Sequence, residues 1–166
     1  MIPQSGLDFE TSADHALIFN ENFYAYHQPY RGATVFQKHF ARVVGDLATD
    51  GEEHECAVHI DRLPEVKVWA RNTVRQMNSF WLQTSSDKFY PDFVCKLQDG
   101  RVLVVEYKGA LLAHDPAERQ KRLIGELWAD RSKGPCLFAW VENKQFAEID
   151  RVIRSDRPQS PPLRST

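Results

Sequence analysis

Phe89-Tyr-Pro-Asp-Phe-Val-Cys-Lys-Leu-Gln-Asp-Gly-Arg-Val-Leu-Val-Val-Glu-Tyr-Lys108 reads as two strands joined at Asp99-Gly100. An Asp-Gly pair between apolar runs is a strong hairpin signal. Val102 to Val105 is the densest apolar run in the chain, and a continuous run of this kind suggests a central strand covered on both faces. Glu106 and Lys108 are two apart, so they share one face of that strand. Charged groups at the end of a buried strand are costly unless paired or solvated. A bound cation offsets that cost for carboxylates.

Whether Asp92 reaches the same place depends on the loop. A two-residue Asp99-Gly100 loop pairs Gln98 with Arg101, which sets Asp92 opposite Tyr107 and turns the two carboxylates to opposite sides. A three-residue loop, Gln98-Asp99-Gly100, pairs Leu97 with Arg101 and sets Asp92 opposite Glu106. Gly100 then takes the left-handed position of a G1-bulged turn. A bulge within either strand has the same effect.

Outward from the hairpin, Phe80-Trp-Leu-Gln-Thr84 reads as a preceding strand. A helix begins near residue 50, where Thr49/Glu52 and Asp50/Glu53 both have capping-box spacing. Cys56, Ala57, Ile60 and Leu63 form its apolar stripe. Val66, Trp69, Ala70 and Val74 suggest a short second apolar face after Pro64. Downstream, Asp115 is an N-cap, Pro116 takes the first helical position and Glu118 completes a capping box. Leu123, Ile124, Leu127 and Trp128 supply that helix's buried face, and Gly134-Pro135 stops it. Cys136 to Val141 reads as a fourth strand, and Glu142 to Val152 as a last short helix. The order helix, strand, strand, strand, helix, strand predicts an α/β fold with a mixed central sheet flanked by helices. Residues 1–50 are an aromatic-rich segment that packs on or leads into the core, residues 51–152 form the core domain, and residues 153–166, with three prolines, form a tail.

The 166 residues suit one domain with a real core. Formal net charge is −2, so a bulk basic character for nucleic-acid or membrane binding is excluded, whereas a local basic groove is not. No apolar run approaches the ~20 residues of a membrane span, and no secretory signal is visible. Three cysteines without a CxxC pair argue against a disulfide framework and a thiolate zinc site. The expectation is a cytoplasmic protein without membrane association.

Asp92 and Glu106 are oxygen ligands suited to Mg²⁺, with Mn²⁺ as a substitute, and such a cation suits phosphodiester hydrolysis. Lys108 would orient a water or offset phosphate charge. An ordinary hairpin with a Glu106–Lys108 ion pair fits the same spacing. Thr84, Ser85 and Lys88, between the first two strands, and Gln120 and Lys121, near a helix N-terminus, are candidate phosphate contacts. A solvated polar loop and a basic helix face are the plainer readings. The four tryptophans read as core, and His54, His59 and Asp61 lack the spacing of a metal cluster.

Taken together, Leu63-Pro-Glu-Val-Lys-Val-Trp-Ala-Arg-Asn72, Ser79-Phe-Trp-Leu82, Phe89-Tyr-Pro-Asp-Phe-Val94, Asp99-Gly-Arg-Val-Leu-Val-Val-Glu-Tyr-Lys-Gly109 and Ile124-Gly-Glu-Leu-Trp-Ala129 resemble the PD-(D/E)xK nuclease superfamily. The likeness is to the C-terminal nuclease domain of the Type III restriction (Res) subunit and related DEAD/DEAH-type helicase proteins. The resemblance implies a core of order α-β-β-β-α-β, Mg²⁺-dependent endonuclease action on DNA, and catalytic roles for Asp92, Glu106 and Lys108. It also implies an acidic residue on the first helix that joins Asp92 and Glu106 at the metal. Glu55 is the first choice, as it precedes Cys56-Ala57, and Glu52 the second.

The chain departs from that pattern in lacking GxxxxGK[ST], so a helicase or translocase motor, or a modification subunit, would act in trans. The competing expectation is an inactive DNA-binding or assembly module, or the truncated remnant of a helicase–nuclease protein.

Overall fold

The computed structural model describes residues 18–109 and 115–155. Helix α1 (Glu52–Arg62) leads into strand β1 (Val66–Arg71). A two-stranded ribbon follows, β2 (Leu82–Gln83) with β3 (Lys88–Phe89). Then come β4 (Phe93–Leu97), β5 (Val102–Lys108), α2 (Pro116–Ser132), β6 (Cys136–Glu142) and α3 (Ala147–Ser155). The main sheet has the order β1-β4-β5-β6. Its first two pairings are antiparallel and the last is parallel, so the sheet is mixed.

The central hairpin takes the three-residue loop. Phe93 lies opposite Val105 and Lys96 opposite Val102. The Leu97 N–H donates to the Arg101 carbonyl at 2.8 Å, and Gly100 has φ +91°, a conformation that favours glycine. Extending this register puts Asp92 opposite Glu106.

Alternation along β5 divides the core. Leu103, Val105 and Tyr107 join Cys56, Ala57 and Ile60 of α1 and Ile149, Val152 and Ile153 of α3 on one face. Val104 joins Trp128, Phe138 and Trp140 on the other, under α2. The expected face of Leu123, Ile124, Leu127 and Trp128 is half right, with Ile124 partly buried and Leu123 exposed. Trp128 is 8% exposed and buried, whereas Leu127 is 38% exposed, because Gly125 and Trp128 are the α2 positions that meet the sheet.

Three further expectations are corrected. Val66 to Arg71 is a strand, not a helical face. A bulge between Val66 and Val68 puts Val66 and Trp69 on the same face of the sheet, which mimics helical i,i+3 spacing. The strand expected over Phe80–Thr84 contracts to two residues, and Pro91 separates β3 from β4. The N-cap of α1 is Gly51, with no side-chain cap.

Residues 24–47 lie against α1 and β1. Asp61, buried on α1, accepts hydrogen bonds from the backbone N–H groups of Gln37 (2.9 Å) and Lys38 (2.8 Å) and from Trp69 Nε1 (2.9 Å). The Lys38 ammonium donates to the carbonyls of Leu63 and Val66. Among the described residues no helix is long and apolar enough to cross a membrane. The expected 153–166 tail overlaps the end of α3, and residues 156–166 lie outside the described residues.

Candidate active site

β1, β4 and β5 bring Arg71, Asp92, Glu106 and Lys108 to one end of the sheet, since Arg71 pairs with Phe93 and Phe93 with Val105. The N-terminal turn of α1 and the start of α2 face the same end, carrying Glu53 and Glu118. Asp92 precedes β4 and closes the ladder through its side chain. Its Oδ2 accepts the Tyr107 N–H at 2.8 Å, where a strand residue would offer a carbonyl.

Two short chains of charge meet at Asp92. On one side, Arg71 Nη2 lies 2.7 Å from Glu53 Oε1, and Arg71 Nη1 lies 3.7 Å from Asp92 Oδ1. Nη1 also donates to the backbone carbonyls of Asn72 (2.7 Å) and Asp92 (2.8 Å). On the other side, Lys108 Nζ lies 3.1 Å from Glu106 Oε1 and 2.9 Å from Glu118 Oε2. Glu118 Oε1 in turn accepts from Lys121 at 2.9 Å. Glu106 is only 3% exposed, and its Oε2 is buried without a hydrogen-bond partner.

Burial and the Asp92 carboxylate raise the Glu106 carboxyl well above its ordinary range, against the pull of Lys108. Burial and Asp92 push Glu53 up to about 7, with Arg71 opposing. Burial alone would weaken the Lys108 ammonium, but Glu106 and Glu118 outweigh it and hold its proton more firmly than usual. Glu118 moves the other way. Its burial is outweighed by hydrogen bonds from Lys108 and Lys121, which hold it ionised.

Asp92, Glu106 and Lys108 are therefore neighbours. Glu55 is not with them. It is half-exposed and pairs with Lys144 at 3.1 Å. Glu52 accepts from the Tyr107 hydroxyl at 2.6 Å, on the opposite face of β5. The helix carboxylate that faces Arg71 and Asp92 is Glu53, and its spacing from Cys56 and Ile60 is the signal that places it on the buried side of α1. Glu118 also escaped the sequence reading. Its capping-box position described it fully, yet Asp115 caps α2 alone through Ala117 N–H and Glu118 turns to Lys108.

Ser85 and Gln120 come together, the Ser85 hydroxyl donating to Gln120 Oε1 at 3.1 Å. Lys88 lies over the Trp81 ring at 4.2 Å, so Trp81 is half-buried and not core. Lys121 lies over Phe89 at 5.8 Å while bound to Glu118. Thr84 is used by its own turn, donating to the Asp87 carbonyl and accepting the Asp87 N–H. His54, His59 and Asp61 have separate partners in Tyr30, Asp150 and Trp69.

Carboxylate oxygens suit a hard divalent cation, and the orphaned Glu106 oxygen fits that chemistry. However, Arg71 already lies between Glu53 and Asp92, and no group of three metal-ligating side chains is gathered among the described residues. No family model matches the chain, and neither does any curated protein or solved structure.

Proposed function

We propose that this chain is a DNA-binding or assembly module built on a PD-(D/E)xK-type core, its charged centre closed by its own cations. The observation that carries this reading is the pairing at the sheet end. Glu53 and Asp92 face Arg71, Glu106 faces Lys108, and Glu118 faces Lys108 and Lys121. DNA phosphates would meet the β2–β3 ribbon and the start of α2, where Lys88, Ser85, Gln120 and Lys121 lie. Contacts of this kind position a backbone and read no sequence.

A second reading is a Mg²⁺- or Mn²⁺-dependent endonuclease, favoured by the buried Glu106 carboxyl next to Asp92. Asp92, Glu106 and Glu53 would then hold the cation. That cation supplies Lewis-acid polarisation of the scissile phosphate. Lys108 would stay protonated, fixed by Glu106 and Glu118, and face a phosphate oxygen as a charge.

The test pairs fluorescence anisotropy on a labelled duplex with plasmid nicking in Mg²⁺ and in Mn²⁺. Binding is expected to weaken with salt and to fall on Lys121→Ala, with nicking no greater than that of Asp92→Asn. Nicking by the native chain that disappears in Asp92→Asn makes the endonuclease reading the correct one. Absence of duplex binding at low salt overturns the DNA role.

A further inference from the structure

We propose that residues 6–11 of this chain, Gly-Leu-Asp-Phe-Glu-Thr, add to the free edge of β6 as a fifth strand of the main sheet. This goes beyond the binding-module reading and involves neither DNA nor the charged end of the sheet.

The two edges of the main sheet differ. At β1 the chain covers its own edge. The Trp69 N–H donates to the Lys38 carbonyl at 3.0 Å, and the Phe40 N–H donates to the Trp69 carbonyl at 2.9 Å. β6 is the opposite edge, and no described residue pairs with its outer side. It runs beside β5 without a bulge from Cys136 to Glu142, apolar up to Val141 and free of Lys and Pro. A long, flat, apolar edge of this kind is a template for aggregation, and folded chains cover it.

The ladder fixes which backbone groups are unmet. The Val102 N–H donates to the Pro135 carbonyl at 2.9 Å. Odd-numbered residues of β6 therefore turn their N–H and C=O groups to β5, and even-numbered ones turn theirs outward. Near the ends of the strand, Ser132 Oγ accepts the Cys136 N–H at 3.0 Å, and the Gln145 N–H donates to the Glu142 carbonyl at 2.9 Å. Between them, the outward N–H and C=O groups of Phe138 and Trp140 have no partner among the described residues. These two residues line a cavity of about 1030 Å³ between α2 and α3.

The edge is recessed, with Ala129 and Lys133 of α2 on one side of the cavity and Arg151 and Val152 of α3 on the other. A second copy would bring the same two helices, which collide before its β6 reaches this one. A bare strand has no such layers. Residues 156–166 follow Ser155, which lines the cavity, but Pro158, Pro161 and Pro162 lack the N–H that a ladder needs. Residues 7–10 instead alternate Leu, Asp, Phe and Glu, the two-residue period of a strand. One side of such a strand is apolar and the other carries two carboxylates. Either wall of the cavity meets both, with Ala129 or Val152 for the apolar side and Lys133 or Arg151 for the acidic one. Ile18 is buried in the same core as Phe138 and Trp140. Residues 12–17 span up to about 20 Å when extended, roughly four strand spacings, so the tether is long enough.

The test is amide exchange in the full-length chain, followed residue by residue by NMR. In the native protein the Phe138 and Trp140 amides are expected to exchange slowly and to show cross-strand NOEs to residues 7–10. Asp8→Pro and Phe9→Pro remove the N–H at consecutive positions, one of which must face β6. At least one of these variants should speed exchange at Phe138 and Trp140 by at least about tenfold and leave Val104, in the middle of the sheet, unchanged. If a variant unfolds, the NOEs of the native chain decide by themselves. Fast exchange at both amides in the native chain overturns the proposal and leaves the edge open to a partner strand. So does the absence of those NOEs, or protection that neither proline variant disturbs. Protection lost on dilution, with NOEs between differently labelled copies, also overturns it and gives the edge to a second copy. None of these readings depends on duplex binding.

Discussion

Gly125 is the point at which α2 meets the sheet, and adding one methyl group there tests the packing that holds Glu118 against Lys108. A Cβ built on Gly125 would lie 2.3 Å from Phe138 Cζ and 2.5 Å from both Cε atoms. Carbon atoms settle at roughly 3.5–4.0 Å, so ring and helix must separate by more than ~1 Å. Phe138 is buried and stands edge-on to Phe89, which leaves the ring little room to turn. Two effects oppose each other. Alanine is favoured over glycine inside a helix by about 1 kcal/mol, whereas overpacking a core costs about 1–3 kcal/mol. Gly125→Ala is therefore expected to destabilise the fold by up to about 2 kcal/mol. In a Phe138→Leu background the clash is relieved, and the same change should become neutral or stabilising. Urea denaturation of the four proteins in this cycle measures the coupling, expected at about 1–3 kcal/mol. If Gly125→Ala alone stabilises the protein by the full helix-propensity gain, the close approach of Phe138 to α2 is wrong, and so is the account of how Glu118 is placed.

Asp61→Ala strands the Trp69 indole N–H and two backbone N–H groups. It should cost at least about 2 kcal/mol in denaturation, and Asp61→Asn less. Trp128→Ala should cost about 3–5 kcal/mol, and Leu127→Ala under about 1 kcal/mol, since Leu127 already faces water. The raised carboxyls give stability a definite pH trend. Glu53 and Glu106 keep their protons in the folded chain at pH values where the unfolded chain has lost them. Their contribution should thus fall as pH rises from about 4.5 towards 7, the point to which Glu53 is pushed, while His39, lowered to about 4 by burial, adds stability over the same interval. Across that range the melting temperature of Glu53→Gln should rise more with pH, or fall less, than that of the native protein. A Glu53→Gln variant whose pH slope equals the native one would contradict the raised Glu53 carboxyl.

The hairpin and α2 were legible because their signals are local. Asp99-Gly100 and the flanking alternation contain the register choice, and Asp115-Pro116 with Gly134 bracket the helix. The strand β1 was hidden because its bulge inserts one residue and turns a two-residue period into a three-residue one. The site was legible where it is built on β5, since Glu106 and Lys108 must share a face. It was not legible where it depends on tertiary choice. Glu52, Glu53 and Glu55 lie within one helical turn, and although the spacing from Cys56 and Ile60 turns Glu53 inward, the Arg71 it meets there comes from another element. Glu118 had a complete local explanation, so nothing in the sequence asked for a second one.

The bonds that Asp61 makes to Gln37, Lys38 and Trp69 bear on how this chain can be dissected. A fragment trimmed to begin at α1 looks natural from the element order, but it would lose the segment that pairs with the outer edge of β1 at His39 and Trp69. The Trp69 ring, which the intact chain buries beneath Phe36 and His39, would be laid open to solvent. The Asp61 carboxylate would keep a single partner. Such a fragment is expected to express as aggregate, and the amino-terminal cut that yields a workable domain falls before Ile18, which is buried in the second core, and so keeps Tyr24, whose hydroxyl donates to the Arg71 carbonyl and accepts the Gly45 N–H.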